Sequence, residues 1–294
     1  MKIKQTPGDI AFNIINYAIL TFLGLVCVVP FIHLIALSFS SSAMAAAGRV
    51  GLWPQAFTLA SYQYAFQTPL FLRAFGITIL RVVLGVSLNM VLLVLTAYPL
   101  SKRNKEMPGR TLISWFFVIP MFIGGGLIPT YLVVNATGIN NTIFALIIPG
   151  AVSVYNVMIL LNFFRQTPKE LEESALMDGA SQFTCLVKIY VPLAIPCLAT
   201  LFIFCTVGHW NDWFSGMIYI NSSKNYPLMT YLQNLIQTPD FSLADPSQAE
   251  LLSKINSKTY QAAQIVIATV PILVVYPFMQ KYFVTGMTLG AMKG

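Results

Sequence analysis

The sequence predicts an all-α polytopic membrane protein with six membrane-spanning helices and one polar, helical loop between the fourth and fifth spans. Of its 294 residues, 56% are hydrophobic and only 9% are charged. Soluble domains carry about 25% charged residues, so this composition indicates a chain embedded in a membrane. The apolar residues also form runs close to the roughly 20 residues that a spanning helix needs. We therefore expect a single transmembrane domain over residues 1–294.

The first span is expected at residues 12–37. No Asp, Glu, Lys or Arg occurs between Asp9 and Arg49. This run is longer than the apolar core of about 7–15 residues in a signal peptide. Although Ala43-Met44-Ala45 imitates a cleavage site, an uncleaved first span is expected.

Five further spans are predicted near residues 82–100, 112–134, 142–164, 191–210 and 262–284. The third is interrupted by Pro120, Gly124–Gly126 and Pro129. Broken helices at membrane depth often line a cavity, but glycines also permit close helix packing, so both interpretations stay open. Charged residues are not expected deep within any span, and Arg81 is placed at an edge. Because proton relays and ion sites normally need such groups, a proton-driven pump or a channel for charged ions is disfavoured.

The basic residues predict the orientation of the chain. With the N-terminus inside, the cytoplasmic segments hold eleven of the 17 Lys and Arg residues and the outer segments hold six. Cytoplasmic loops are enriched in such residues, so both termini and the loop at 165–190 are predicted to be cytoplasmic. The long loops at 38–81 and 209–261 are then external and are expected to receive an extracytoplasmic partner. Trp210 and Trp213 suit the aromatic belt of a membrane surface.

The polar loop at 165–190 has its own helix signals. Thr167 as N-cap and Pro168 at the first helical position predict a helix that runs to about Met177. Gly179 suits the left-handed position that ends such a helix. A second short helix is predicted over Ser181–Lys188. Two short helices joined at a glycine form a water-facing knob, which predicts docking of another protein.

Catalytic and cofactor motifs are absent from the sequence. No Gly-Lys dipeptide occurs, so the chain has no P-loop for ATP. It has no HExxH motif and no paired carboxylates within a span, so we expect neither an enzyme nor a metal site. Its four cysteines form no CxxC pair, and the net charge of +7 is scattered rather than gathered into a nucleic-acid-binding stripe.

The polar loop resembles the EAA loop of ABC-importer permeases. That pattern is Glu-Ala-Ala, three further residues, a glycine, nine further residues and then Ile-x-Leu-Pro. Its matching residues here are Glu173, Ser174, Ala175, Asp178, Gly179, Ala180, Ile189 and Pro192. Ser174 replaces the middle Ala and Val191 replaces the Leu. In that family the loop is the coupling helix, which sits in a cleft of the cytosolic ATPase subunit.

Further stretches are similar to carbohydrate-importer permeases of the maltose-permease MalG type and, within them, the LplC/YtcP-like group. They are residues 121–150, Trp210–Phe214 and Gln280–Gly294. The resemblance implies a heterodimer with a second homologous permease, two ATPase subunits that bind ATP and Mg²⁺, an extracytoplasmic solute-binding protein and surrounding lipid. It also implies the bacterial cytoplasmic membrane as the location.

The resemblance assigns roles to particular residues. Glu173 would pair with a basic residue of the ATPase, Gly179 would shape the turn, and Asp178 would cap or brace it. Ala175 and Ala180 would keep the contact closely packed. Glu172, Ser174, Ile189 and Pro192 complete the expected docking set, and Lys293 and Gly294 are expected to touch the ATPase dimer. The resemblance assigns no sugar-binding residue to this chain.

Three alternatives remain at this point. An ABC permease for a peptide or a lipid-linked solute would share the EAA loop. An autonomous secondary transporter or channel would act without partners and would need ionisable residues within its spans. An intramembrane enzyme would need the catalytic residues that the sequence lacks.

Overall fold

The computed structural model describes residues 6–237 and 257–291, which form helices and loops without a β-strand. The α-helices are α1 Pro7–Ser38, α2 Ser42–Ala46, α3 Ala60–Gln67, α4 Pro69–Ser101, α5 Arg110–Phe122, α6 Leu127–Ala136, α7 Val154–Arg165, α8 Lys169–Met177, α9 Gln182–Cys185, α10 Val191–Leu193, α11 Ile195–Asn211, α12 Phe214–Tyr219, α13 Leu228–Gln237 and α14 Ser257–Ala291. Two 3₁₀ turns lie at Ile143–Leu146 and Ser223–Asn225, and a π-helical segment lies at Leu186–Tyr190. The predicted helical class is confirmed.

Three of the described helices are long and apolar enough to cross a membrane: α1, α4, and α14 over Ser257–Val275. A fourth candidate is the pair formed by Gln182–Leu193 and α11, whose halves are bent by 82°. Helices α5, α6 and α7 are apolar but shorter. The count of six spans therefore stays a prediction.

Three predicted spans are not continuous helices, and one of them, at 191–210, is broken at Ala194 between α10 and α11. The span at 112–134 is divided, because α5 ends at Phe122 and α6 begins at Leu127, with Gly126 at φ +81° between them. The span at 142–164 is helical as α7 only from Val154. Before α7 come Pro149 and Gly150, residue types that interrupt a helix.

Helix α4 is much longer than the predicted span at 82–100. It begins at Pro69, a residue type that favours the first helical position because its fixed φ fits a helix and its missing N–H is not needed there. Its first three turns belong to the loop that was expected to be external. As a result Arg81 lies within α4 and not at its end, while its placement at the edge of the membrane stays a prediction.

Among the described residues, one compact unit comprises 6–69, 234–237 and 257–270. At the end of α1, the ring of Phe39 stacks on Phe57 and Tyr62, with centroids 5.5 and 4.7 Å away. The hydroxyls of Ser38 and Tyr62 are 2.7 Å apart. Large apolar side chains are exposed along most of α1, as expected of a helix whose surroundings are lipid.

The other unit comprises the described residues 70–233 and 271–291. Its core joins α4, α7, the π-helical segment and α11 through buried residues that include Leu93, Leu160 and Leu201. Tyr98, Phe164 and Tyr190 meet edge to face, with centroids 5.0 to 6.3 Å apart. This aromatic group lies at the base of the polar loop and holds the two ends of that loop against α4.

Candidate functional site

Helix α8 of the polar loop begins one residue later than predicted. Pro168 is the N-cap, with ψ 129°, and no side chain caps the helix. Thr167 is not the cap, because its N–H donates to the carbonyl of Phe164 at 3.2 Å and so continues the last turn of α7. Glu170 and Glu172 lie in the first turn of α8, where negative charge interacts favourably with the helix dipole.

The end of α8 is a Schellman turn centred on Gly179. The N–H of Ala180 donates to the carbonyl of Ala175 at 2.9 Å, and that of Gly179 donates to Leu176 at 3.1 Å. Gly179 has φ +83°, so the predicted left-handed conformation is confirmed. A Cβ built on this glycine would touch nothing within 4 Å. The need for glycine here is therefore conformational and not steric.

The second helix of the loop extends beyond its predicted end at Lys188. Its start at Ser181 is as expected, because the Ser181 hydroxyl accepts from the N–H of Thr184 at 3.1 Å. After α9 the chain continues without a break through the π-helical segment into α10. Ile189 is half-buried against the core, which ties this segment to the body of the unit.

The loop presents a mixed apolar and acidic surface to its surroundings. Met177 is 88% exposed and Phe183 is 67% exposed. In the same loop Glu173, Ser174, Asp178 and Gly179 are exposed and Ala175 and Ala180 are half-buried, whereas the exposed Pro192 lies beyond the loop. We call this set the knob surface: Glu173, Ser174, Ala175, Met177, Asp178, Gly179, Ala180 and Phe183.

Glu172 does not belong to the knob surface, contrary to expectation. It is only 8% exposed, and its carboxylate forms an ion pair with Lys102 at the end of α4. The hydroxyl of Tyr190 donates to the same carboxylate at 2.6 Å. The Lys102 ammonium also lies over the rings of Tyr98 and Tyr190, 4.1 and 4.5 Å from their centroids. Glu172 therefore fastens α8 to α4, while its neighbour Glu173 points outward.

A polar cavity of about 600 Å³ lies in the same unit. One of its lining side chains is the buried Arg81, which forms an ion pair with Asp212 at 2.5 Å. Arg81 also donates to the carbonyls of Asp212 and Leu146, at 2.9 and 3.2 Å. A buried charge must be paired to be tolerated. Asp212 is the only acidic residue between Asp178 and Asp240. An isolated acidic residue in an apolar stretch needs a basic partner, so its position in the sequence could have suggested an ion pair with Arg81.

A second buried polar pair lines the cavity. The Nε2 atom of His209 is 2.7 Å from the side-chain oxygen Oδ1 of Asn89, and the side-chain Nδ2 of Asn89 donates to the backbone carbonyl of Ala151 at 2.7 Å. A Cβ on Gly85 would lie 2.6 Å from the His209 ring, so only glycine allows this approach. His209 and Asn89 thus hold α11 and α4 together through hydrogen bonds. Sequence patterns single out neither His209 nor Asn89, because a lone polar residue within an apolar run belongs to no motif.

The remaining lining residues leave polar atoms available to a solute. They include Ser153, Tyr155, Asn156 and Ser215, together with the thiol of Cys205. Tyr155 is exposed. The one ion pair in the wall is internally balanced, so the lining carries hydroxyl and amide groups with no excess charge. Such a surface suits a neutral, hydroxyl-rich solute.

The predicted contact at Lys293 and Gly294 lies outside the described residues. Among residues 6–237 and 257–291, the knob surface and the polar cavity are the two sites on which the proposed function depends. The knob suits docking of another protein, and the cavity suits passage or binding of a polar solute.

Comparison with known proteins gives one family and several close relatives. Residues 95–289 match the family described as "Binding-protein-dependent transport system inner membrane component". Protein LplC of Bacillus subtilis is 40% identical, over 99% of this chain and 97% of its own. The polygalacturonan/rhamnogalacturonan transport system permease protein YtcP of the same organism is 36% identical, over 96% and 98%.

A solved structure has the same fold. It is a bacterial ABC transporter involved in the import of the acidic polysaccharide alginate. One of its chains matches with a TM-score of 0.87 and 31% identity, over 96% of this chain and 100% of that one.

Proposed function

Because this chain belongs to the family of binding-protein-dependent transport system inner membrane components, we propose that it conducts oligosaccharides through the membrane. It is a permease subunit of a bacterial ABC importer. Two features support a saccharide as the solute. YtcP and the alginate importer are named for polysaccharide substrates, and the polar cavity offers hydroxyl and amide groups without excess charge.

The knob surface is proposed to dock on a cytosolic ATPase. The observation that carries this proposal is the Schellman turn at Gly179. That turn joins α8 to α9, and the two helices together expose the apolar side chains of Met177 and Phe183 and the carboxylates of Glu173 and Asp178. Apolar side chains combined with charged ones are the usual composition of a protein interface. We place this loop and both termini in the cytoplasm, as the distribution of basic residues predicts.

The proposed assembly has four further protein subunits, and lipid surrounds it. A second, homologous permease completes the translocation pathway, and two ATPase subunits bind ATP and Mg²⁺. A solute-binding protein delivers the saccharide to the outer face. Lipid surrounds the apolar helices. This chain contributes no catalytic group of its own, and Lys293 and Gly294 are kept as a proposed second contact with the ATPase.

The proposed mechanism is alternating access. Closure of the ATPase subunits on ATP moves the knob surface, and the ion pair between Glu172 and Lys102 passes that movement to α4. Helix α4 also carries Arg81 and Asn89, so a movement at its end would reach the wall of the polar cavity. The two sites would then bias one two-state element, which is the condition for allosteric coupling.

Glu173→Ala is expected to weaken docking of the ATPase. In the proposed complex a basic residue of the ATPase covers the carboxylate of Glu173, and loss of one partner of such a buried charge pair costs about 2–5 kcal/mol, so recovery of the ATPase with the tagged chain should fall at least about tenfold. Gentle-detergent co-purification with quantitative mass spectrometry measures this. Glu170→Ala is the matched control, because Glu170 is an exposed carboxylate of the same helix outside the knob surface. Equal ATPase recovery from both variants would remove Glu173 from the contact.

The polar cavity is expected to be exposed to water and substrate during transport. Cys205 lines the cavity, whereas Cys27 lies on the exposed face of α1. In the assembled transporter, a water-soluble maleimide should label Cys205 faster than Cys27, because a thiol surrounded by lipid rarely forms the reactive thiolate. Oligosaccharide supplied with ATP and binding protein should slow labelling of Cys205 several-fold. If a peptide slowed the labelling of Cys205 and a saccharide did not, the solute would be a peptide and not an oligosaccharide.

A further inference from the structure

A second, smaller pocket lies beside the ion pair between Lys102 and Glu172. It has a volume of about 220 Å³ and is formed where α4 ends, α5 begins, α7 ends and α8 begins. Five basic side chains line it: Lys102, Arg103, Arg110, Arg165 and Lys169. We call it the basic pocket.

Both acidic residues of the basic pocket are already engaged. Glu172 is held by Lys102. Glu106 accepts from the N–H of Arg103 at 3.1 Å and lies 3.5 Å from the ammonium of Lys169. These contacts, the backbone hydrogen bond first, lower the pKa of the Glu106 carboxyl. Among the described residues, no carboxylate lies within ion-pair distance of the three arginines of the pocket.

The arginines of the basic pocket leave donors and charge unsatisfied. The Nε of Arg110 is buried without a hydrogen-bond partner among the described residues, although its Nη1 donates to the carbonyl of Lys102 at 3.1 Å. Partial desolvation and the nearby charge of Arg110 both lower the pKa of the Arg165 guanidinium. Two guanidinium groups that line the same pocket without a carboxylate partner form a suitable site for an anion with several oxygens.

The basic pocket lies at the end of an apolar, uncovered helix. Arg110 is the first residue of α5, and α5 has no buried residue. Leu112 is 78% exposed and Phe116 is 72% exposed. A molecule with an anionic head and apolar chains would therefore find both of its parts accommodated, the head at Arg110 and the chains along α5. Basic pockets between membrane helices on the cytoplasmic side are suited to acidic lipid headgroups.

We propose that the basic pocket binds the phosphate of an anionic membrane phospholipid, whose acyl chains lie along α5. This inference rests on the membrane placement in the proposed function. The bound phosphate neutralises Arg110 and Arg165 next to Lys169, in the first turn of α8. The lipid thereby supports the end of the loop that carries the knob surface.

Native mass spectrometry of the assembled transporter tests this site, with phosphatidylglycerol, phosphatidylcholine or inorganic phosphate added to the detergent-purified complex. The wild-type complex should retain phosphatidylglycerol in preference to phosphatidylcholine. Arg165→Gln should lower the apparent affinity for phosphatidylglycerol about fivefold, as expected for one basic residue at a lipid surface. Lys105→Gln is the matched control, because Lys105 is an exposed base of the same region that does not line the pocket.

Several results would overturn the lipid assignment. Equal retention of the two lipids would do so, as would the same effect from Arg165→Gln and Lys105→Gln. Binding of inorganic phosphate that displaces no lipid would instead identify free phosphate as the ligand. Loss of the ATPase from the Arg165→Gln complex with lipid retention unchanged would assign the arginines to the protein contact. Because one spectrum reports subunits and lipids separately, failure of the assembly is distinguished from failure of the lipid site.

Discussion

Gly179→Val is expected to abolish substrate uptake while the chain still inserts into the membrane and still assembles with the second permease. Gly179 has φ +83°, and a β-branched residue in the left-handed region carries a strain of about 1–3 kcal/mol. The cheapest relief is to change the turn, because no atom lies within 4 Å of the added Cβ to hold it in place. A changed turn would redirect α9 relative to α8 and separate Met177 from Phe183. Uptake of radiolabelled oligosaccharide and substrate-stimulated ATP hydrolysis measure the effect.

Gly138→Val is the matched control for this experiment. Gly138 follows α6, has φ +72° and also has open space around its Cβ position. The local strain should be similar, but the knob surface is unaffected, so uptake should be largely retained. Normal uptake by the Gly179→Val transporter would contradict the proposed role of the turn. Equal loss in both variants would show that strain alone, and not the position of the knob, is responsible.

Lys102→Met is expected to destabilise the loop severely and to release the ATPase. The substitution leaves the carboxylate of Glu172 buried without its counter-ion, and breaking a buried ion pair in this way costs about 3–5 kcal/mol. The apparent unfolding temperature of the purified transporter should fall, and less ATPase should co-purify. The double variant Lys102→Met with Glu172→Gln should recover most of both, because the amide can still accept the hydrogen bond from Tyr190 and no buried charge remains.

Lys169→Met provides the comparison for an exposed pair. Lys169 and Glu106 are 3.5 Å apart and both substantially exposed, and such pairs contribute about 0–1 kcal/mol. We expect little change in unfolding temperature or ATPase recovery. If Lys102→Met behaved like Lys169→Met, the buried pair would not transmit force between α8 and α4. If the double variant lost as much unfolding temperature and ATPase recovery as Lys102→Met, the charges of Lys102 and Glu172 themselves would be required.

The polar loop could be predicted well because its structure is local. A helix end, a glycine and a serine cap lie within a few residues of one another, and their hydrogen bonds close within that segment. Membership of the family also followed from residue spacing in this loop, together with stretches elsewhere in the chain. The start of α8 was misplaced by one residue because α7 ends immediately before it. Thr167 serves the earlier helix, and only the pairing of its N–H decides between the two.

The chain by itself determined the all-helical class, the apolar helices, the turn at Gly179 and the family, because composition, spacing and backbone preference are properties of short segments. Tertiary structure decided which face each residue shows. Glu172 and Glu173 are neighbours of the same chemistry, yet only Glu172 lies opposite Lys102 on α4. Arg81 is buried because Asp212, far away in the sequence, comes to meet it. A charge can be buried only where another part of the chain supplies the opposite charge, and that condition is met only when distant segments pack together.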